Sequence, residues 1–163
     1  RAAGLSNQAF YRHFPSRDEL VAAVAEAGAH RLVEYAAHQM GKEATPAGQI
    51  RAWIVAVLSQ AGNPEVAHAT RAVLWNLRVL PRPVGDPDTS SMHAWAGELL
   101  VAPLAELGSP DPARDAAAVT DVAFGRLDHH LWGPAPTAED VDHVVAFCLA
   151  AVRPAGQTDV LSW

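Results

Sequence analysis

The chain of 163 residues is half apolar and carries 12 basic against 18 acidic side chains, a net charge of −6. That length suits one medium domain or a large one with a small appendage, and so acidic a balance argues against indiscriminate nucleic-acid binding. The longest apolar runs, such as LLVAPLAELG, stop well short of the ~20 residues that a membrane span needs. A single cysteine, Cys148, makes no internal disulfide and points to a reducing cytoplasm.

The charge is unevenly spread. Arg1, Arg12 and Arg17 face only Asp18 and Glu19 over residues 1–20, a balance of +1, whereas the remainder carries −7. A mildly basic end on an acidic body fits an appended DNA-contact element, because phosphate attraction is local at a screening length of about 8–10 Å. Eleven arginines against one lysine, with abundant alanine, suggest a GC-rich bacterial coding sequence.

No segment alternates with a two-residue period, and Pro and Gly clusters separate Ala/Leu/Val-rich stretches, so the expected fold is all-α. Arg1-Ala-Ala-Gly4 reads as the end of a helix already under way, with Gly4 as its stop. Ser6 caps a short helix that runs to about Phe14 and is ended by Pro15. Ser16-Arg-Asp-Glu19 is a capping box opening a long helix to about Met40, with Val21, Val24, Gly28, Leu32 and Tyr35 as its buried stripe. After the GKEATPAG loop, helices are expected over about 46–61, 65–79, 89–107 (bent near Pro103), 112–132 and 137–153. The loops between them include PRPVGDPD and GPAPT, and no internal repeat emerges.

A short helix, a tight turn at Gly4 and a second short helix form the layout of a helix-turn-helix. In that layout Phe10 faces the small core, and Ser6, Asn7, Gln8, Tyr11 and Arg12 lie on or near the outer face. Asn and Gln can pair bidentately with adenine, Arg with guanine or phosphate, and Tyr and His can donate to phosphate oxygens. The chemistry alone leaves an ordinary amphipathic hairpin with solvated polar residues open.

AAGLSNQAFYRHFPSRDELVAAV resembles the second half of the DNA-binding domain of TetR-family transcriptional repressors. The resemblance is carried by the turn Gly4-Leu5-Ser6, by Tyr11-Arg12-His13-Phe14, and by the capped helix start Ser16-Arg17-Asp18-Glu19-Leu20. It covers about the first 25 residues. It implies phosphate contacts from Tyr11, His13 and Arg17, and base-facing roles for Asn7, Gln8 and Ala9. Gln8 and Ala9 depart from the Gly and Thr often found at those places, which bears on the operator sequence. The resemblance also implies that a first helix and most of a second, roughly 30 to 40 residues, precede Arg1. It divides the chain into an incomplete DNA-binding part with its connecting helix, residues 1–36, and a ligand-binding and dimerisation domain, residues 37–163.

In such repressors the middle helices enclose a ligand and the last two pair with their copies in a dimer. Trp53, Trp75 and Trp95 lie on three middle helices, alongside Val57, Leu58, Met92 and Phe124, and are candidates for lining a cavity for a flat or lipophilic effector. Arg71, Arg78, His68, Asn76 and Asp128 are candidate polar anchors. The alternative for each tryptophan is ordinary core. For the dimer interface the candidates are Val119, Ala123, Leu127, His130, Val141, Val145, Cys148 and Val152, with a wholly intramolecular core as the alternative.

His129, His130 and His143 lie beside Asp128 and Asp142 but lack ligand-pair spacing, and no nucleophile elbow, phosphate loop or paired-carboxylate pattern occurs. The expectation is therefore no enzyme, metal or cofactor. The chain reads as a ligand-responsive regulator with double-stranded operator DNA, a small-molecule effector and a second copy as partners. The rival reading is a small-molecule-binding helical module without DNA function.

Overall fold

The computed structural model describes residues 16–79 and 88–152, with side chains throughout except at 17, 77–79 and 88–91. The described residues form six helices and no strand: α1 (Arg17–Met40), α2 (Pro46–Gly62), α3 (Pro64–Val79), α4 (Asp88–Glu106), α5 (Pro112–Trp132) and α6 (Ala138–Ala151).

Local chemistry sets the helix ends. Ser16 Oγ accepts from the Glu19 amide at 3.1 Å, and Asp18 and Glu19 complement the positive end of the α1 dipole. Thr45 caps α2, with Pro46 in the first turn where no backbone donor is needed. Asn63 serves two helices. Its N–H donates to Ser59 O at the end of α2, and its Oδ1 accepts from the amides of Glu65 and Val66 at the start of α3. A single residue thus turns the chain from one helix into the next.

Helix α4 ends in a Schellman motif: the Ser109 amide donates to Leu104 O, the Gly108 amide donates to Ala105 O, and Gly108 has φ of 85°. A side chain at Gly108 would be strained in this left-handed conformation. Thr137 and Asp140 form a reciprocal capping box at α6, and the Thr137 hydrogen bonds hold the Asp140 carboxyl below the usual carboxylate range.

The most apolar helices surround one another unequally. Helix α2 packs against all five others, and Ile50, Trp53, Ile54, Ala56, Val57, Leu58 and Ala61 are buried on it. A helix this apolar over most of its circumference has to sit in the centre. Helices α4 and α5 pack closely through Gly97 and Thr120. A Cβ at Gly97 would lie 2.7 Å from Thr120 Oγ1, whose hydroxyl donates to Ala116 O at 2.7 Å. Helix α6 rests on α2 and, over a smaller area, on α5. Arg51 of α2 ties it down through Asp142 at 2.9 Å, an exposed pair worth at most about 1 kcal/mol.

Two expectations about helix faces need correction. On α1 the buried stripe is Ala29, Leu32, Ala36 and Met40, whereas Val24 and Tyr35 are each 43% exposed and Gly28 is exposed. Helices α2, α3 and α4 pack against the face that carries Ala29, Leu32, Ala36 and Met40, which leaves Val24 and Tyr35 turned to water. On α5 and α6, Val119, Ala123, Leu127, His130, Val145, Cys148 and Val152 are buried within a single protomer, and Val141 packs half-buried against the same core. These residues meet α2, α4 and each other's helix first, so they are not a surface free to receive a second copy.

Candidate functional site

The residues expected to read DNA, Ser6, Asn7, Gln8, Ala9, Tyr11, Arg12 and His13, lie outside the described residues. Arg17 opens α1, directly after the Ser16 cap. From there α1 is continuous to Met40, so the expected boundary between residues 36 and 37 falls inside one helix whose C-terminal half is part of the core.

The three tryptophans expected around one cavity are separated into three settings. Trp53 is fully buried, its indole N–H donating to Ala96 O at 2.8 Å. Its ring meets Phe124 edge-on, with centroids 6.3 Å apart. Trp75 is 61% exposed and leans on Trp132 at 6.3 Å. Trp95 is partly exposed and stacks on His30 of α1 at 4.9 Å. Of the expected ligand residues, then, Trp53, Val57, Phe124 and the half-buried Met92 belong to one core cluster, and Trp75 and Trp95 do not. Arg78 lies on α3 among the residues whose side chains are not described.

The polar candidates have structural partners. Arg71 donates to Leu131 O at 3.1 Å, placing a cation at the negative end of α5. The Trp132 indole N–H donates to Asp128 Oδ1 at 3.1 Å, and Asn76 donates to Ala72 O. His68 is exposed. Buried His130 has Nδ1 at 2.9 Å from Pro134 O and Nε2 at 3.4 Å from Arg126 Nη2. The tautomer satisfying both carries its proton on Nδ1. Among the described residues no buried side-chain nitrogen or oxygen lacks a partner, and no three His, Cys, Asp or Glu converge to hold a metal.

Sequence reasoning missed His93. Its ring lies against Phe124 with centroids 4.3 Å apart and planes inclined by 31°, so Phe124 meets both Trp53 and His93. Burial pushes the His93 imidazole below its ordinary 6.5, partly offset by the Asp121 carboxylate. A signal existed: His93 precedes the small residues Ala96 and Gly97 by three and four positions, on the face that α5 approaches. The junction of α2, α4 and α5 is therefore an aromatic cluster with one titratable ring. Because the folded protein binds the His93 proton less well than the unfolded chain, stability is expected to fall as pH drops from 6.5 through the depressed value. His93→Gln should flatten that part of a pH–stability curve measured by urea denaturation.

The geometry leaves a long helix with one end in this core and the other at the segment whose motif spacing was noted above. Residues 1–24 match the family model for bacterial regulatory proteins, tetR family. The match spans 24 of the 163 residues, so the likeness to that family rests on the N-terminal segment. Residues 17–24 of the match are the first turns of α1. Searches of curated proteins and of solved structures return no match. No helix among the described residues is long and apolar enough to cross a membrane.

Proposed function

We propose that this protein is a TetR-family regulator, a ligand-responsive repressor that binds a roughly palindromic operator as a homodimer and is released by a small lipophilic or aromatic molecule. The observation that carries the reading is α1, which begins inside the family-matched segment and ends among buried core residues. A change in packing around α1 would move the DNA-reading end as a lever. Two such ends must fit major grooves about one DNA turn apart, so a small shift of each abolishes simultaneous fit. The effector has to bind the DNA-incompetent arrangement more tightly, since only differential affinity moves the equilibrium.

The aromatic junction of Trp53, Met92, His93 and Phe124 supports an apolar, flat effector, and Trp95 connects the same helix to α1 through His30. For the dimer, the outward face of α6 is favoured over its buried stripe, because Phe147 is 56% exposed there. A phenyl ring left in water at that level needs a partner more than Leu127 or Val145 does.

The test is a binding-site selection with the full-length protein, followed by titration at several salt concentrations. Arg17→Ala is expected to weaken binding to all sequences and to lower the salt slope by about 1. Gln8→Ala should relax preference at one base pair by about 1–3 kcal/mol. Equal affinity for selected and scrambled DNA would overturn the reading in favour of a small-molecule-binding module.

A further inference from the structure

Helix α1 contains a glycine that packing does not require. A Cβ at Gly28 would meet nothing within 4 Å, so no neighbour excludes alanine there. Glycine in a helix interior weakens it, which makes its position informative. From Asp18 to Gly28 no described side chain of α1 is buried; from Ala29 onwards the helix enters the core through Ala29, Leu32, Ala36 and Met40. The weak point thus falls where the helix leaves the body. Gly125 of α5 is equally unobstructed, but buried residues anchor that helix on both sides of it, Ala123 and Leu127.

Three further contacts gather at the same place. His30 stacks on Trp95 of α4, with centroids 4.9 Å apart and planes inclined by 31°. Across Gly28, Glu26 Oε1 lies 3.9 Å from His30 Nε2, an exposed contact that spans the glycine. Arg31 Nε donates to Ala27 O at 3.0 Å, a carbonyl that the helix ladder also uses. If the helix bends at Gly28 and that ladder bond lengthens, the arginine keeps the carbonyl satisfied.

We infer that Gly28 is a joint on which the N-terminal arm turns relative to the body, and that Glu26, His30 and Trp95 form the latch that fixes its angle. These are positioning residues: they touch no DNA and act through α1. Movement of α4 reaches the arm through Trp95, whichever molecule causes it. The inference rests on the reading that the N-terminal segment meets DNA, but the joint can be measured without DNA.

The experiment places spin labels at Glu19→Cys and Glu106→Cys in a Cys148→Ala background, with labelled protein diluted in unlabelled protein so that one protomer of any dimer carries the pair. The distance distribution between the labels is expected to narrow in Gly28→Ala, to broaden in His30→Ala, and to stay as it was in Gly125→Ala. Amide exchange over residues 26–32 should slow about fivefold in Gly28→Ala, the ratio to which the gain in helix propensity corresponds. Gly28→Ala should also lose affinity for operators whose half-sites are moved one base pair apart, while keeping the selected operator. An unchanged distribution in Gly28→Ala, or equal narrowing in Gly125→Ala, overturns the joint. Expected distances together with no preference for selected DNA would leave the joint standing and remove the DNA-binding reading instead.

Discussion

Trp53→Ala is expected to remove most of the stability of the fold. The side chain is fully buried on the central helix and touches the packing of both α4 and α5, through Ala96 O and Phe124. Truncating a buried tryptophan costs about 3–5 kcal/mol, and the lost hydrogen bond to Ala96 O, a carbonyl that the α4 ladder still uses, adds about 0.5–1.5 kcal/mol. A domain of this size has only about 5–15 kcal/mol in all. Trp53→Phe separates the contributions, since it keeps a ring against Phe124 and loses the indole N–H. Urea denaturation followed by far-ultraviolet circular dichroism should show a lower midpoint for Trp53→Phe and little cooperative transition for Trp53→Ala. If Trp53→Phe left the midpoint alone and altered only effector affinity, Trp53 would be a cavity wall and not a strut.

The second large effect separates the core of a protomer from the surface between protomers. Leu127→Asp and Val145→Asp each put a carboxylate among apolar neighbours of α2, α4 and α5, where an unpaired charge costs several kcal/mol, of the order of 3–5. These variants are expected to unfold or aggregate. Phe147→Asp changes a side chain already more than half in water, so the protomer should keep its helicity and its denaturation midpoint. It is expected to shift sedimentation from dimer to monomer at micromolar concentration, because an isologous contact presents the new charge to its own copy. Folded dimers of Phe147→Asp would move the interface away from this face of α6.

Much of the molecule was legible as text. The Ser16 capping box announced the start of α1, and the helix starts expected near residues 46, 112 and 137 are seen at Pro46, Pro112 and Ala138. Caps and prolines act on backbone groups a few residues away, so their effect needs no knowledge of the fold. The Gly4-Leu5-Ser6 and Tyr11 to Phe14 spacing likewise carried the family, because a recognition helix must present given side chains at given turns.

Which face each helix buries was decided by tertiary structure alone. Helical periodicity shows that α1 has a stripe, but its alanines and valines allow more than one, and the neighbours chose Ala29 and Ala36 over Val24 and Tyr35. The wide apolar faces of α5 and α6 signalled burial without saying against what, and α2 and α4 took the surface expected to meet a second copy. Three tryptophans look alike in sequence, yet one is a strut, one leans on Trp132 in solvent and one touches the helix that leads to the family-matched segment. His93 became part of the aromatic junction only because Gly97 lets α5 come close enough to bring Phe124 over its ring. Local hydrogen bonding fixes where a helix begins, whereas burial depends on what residues far away in sequence bring to it, and periodicity has no term for distance along the chain.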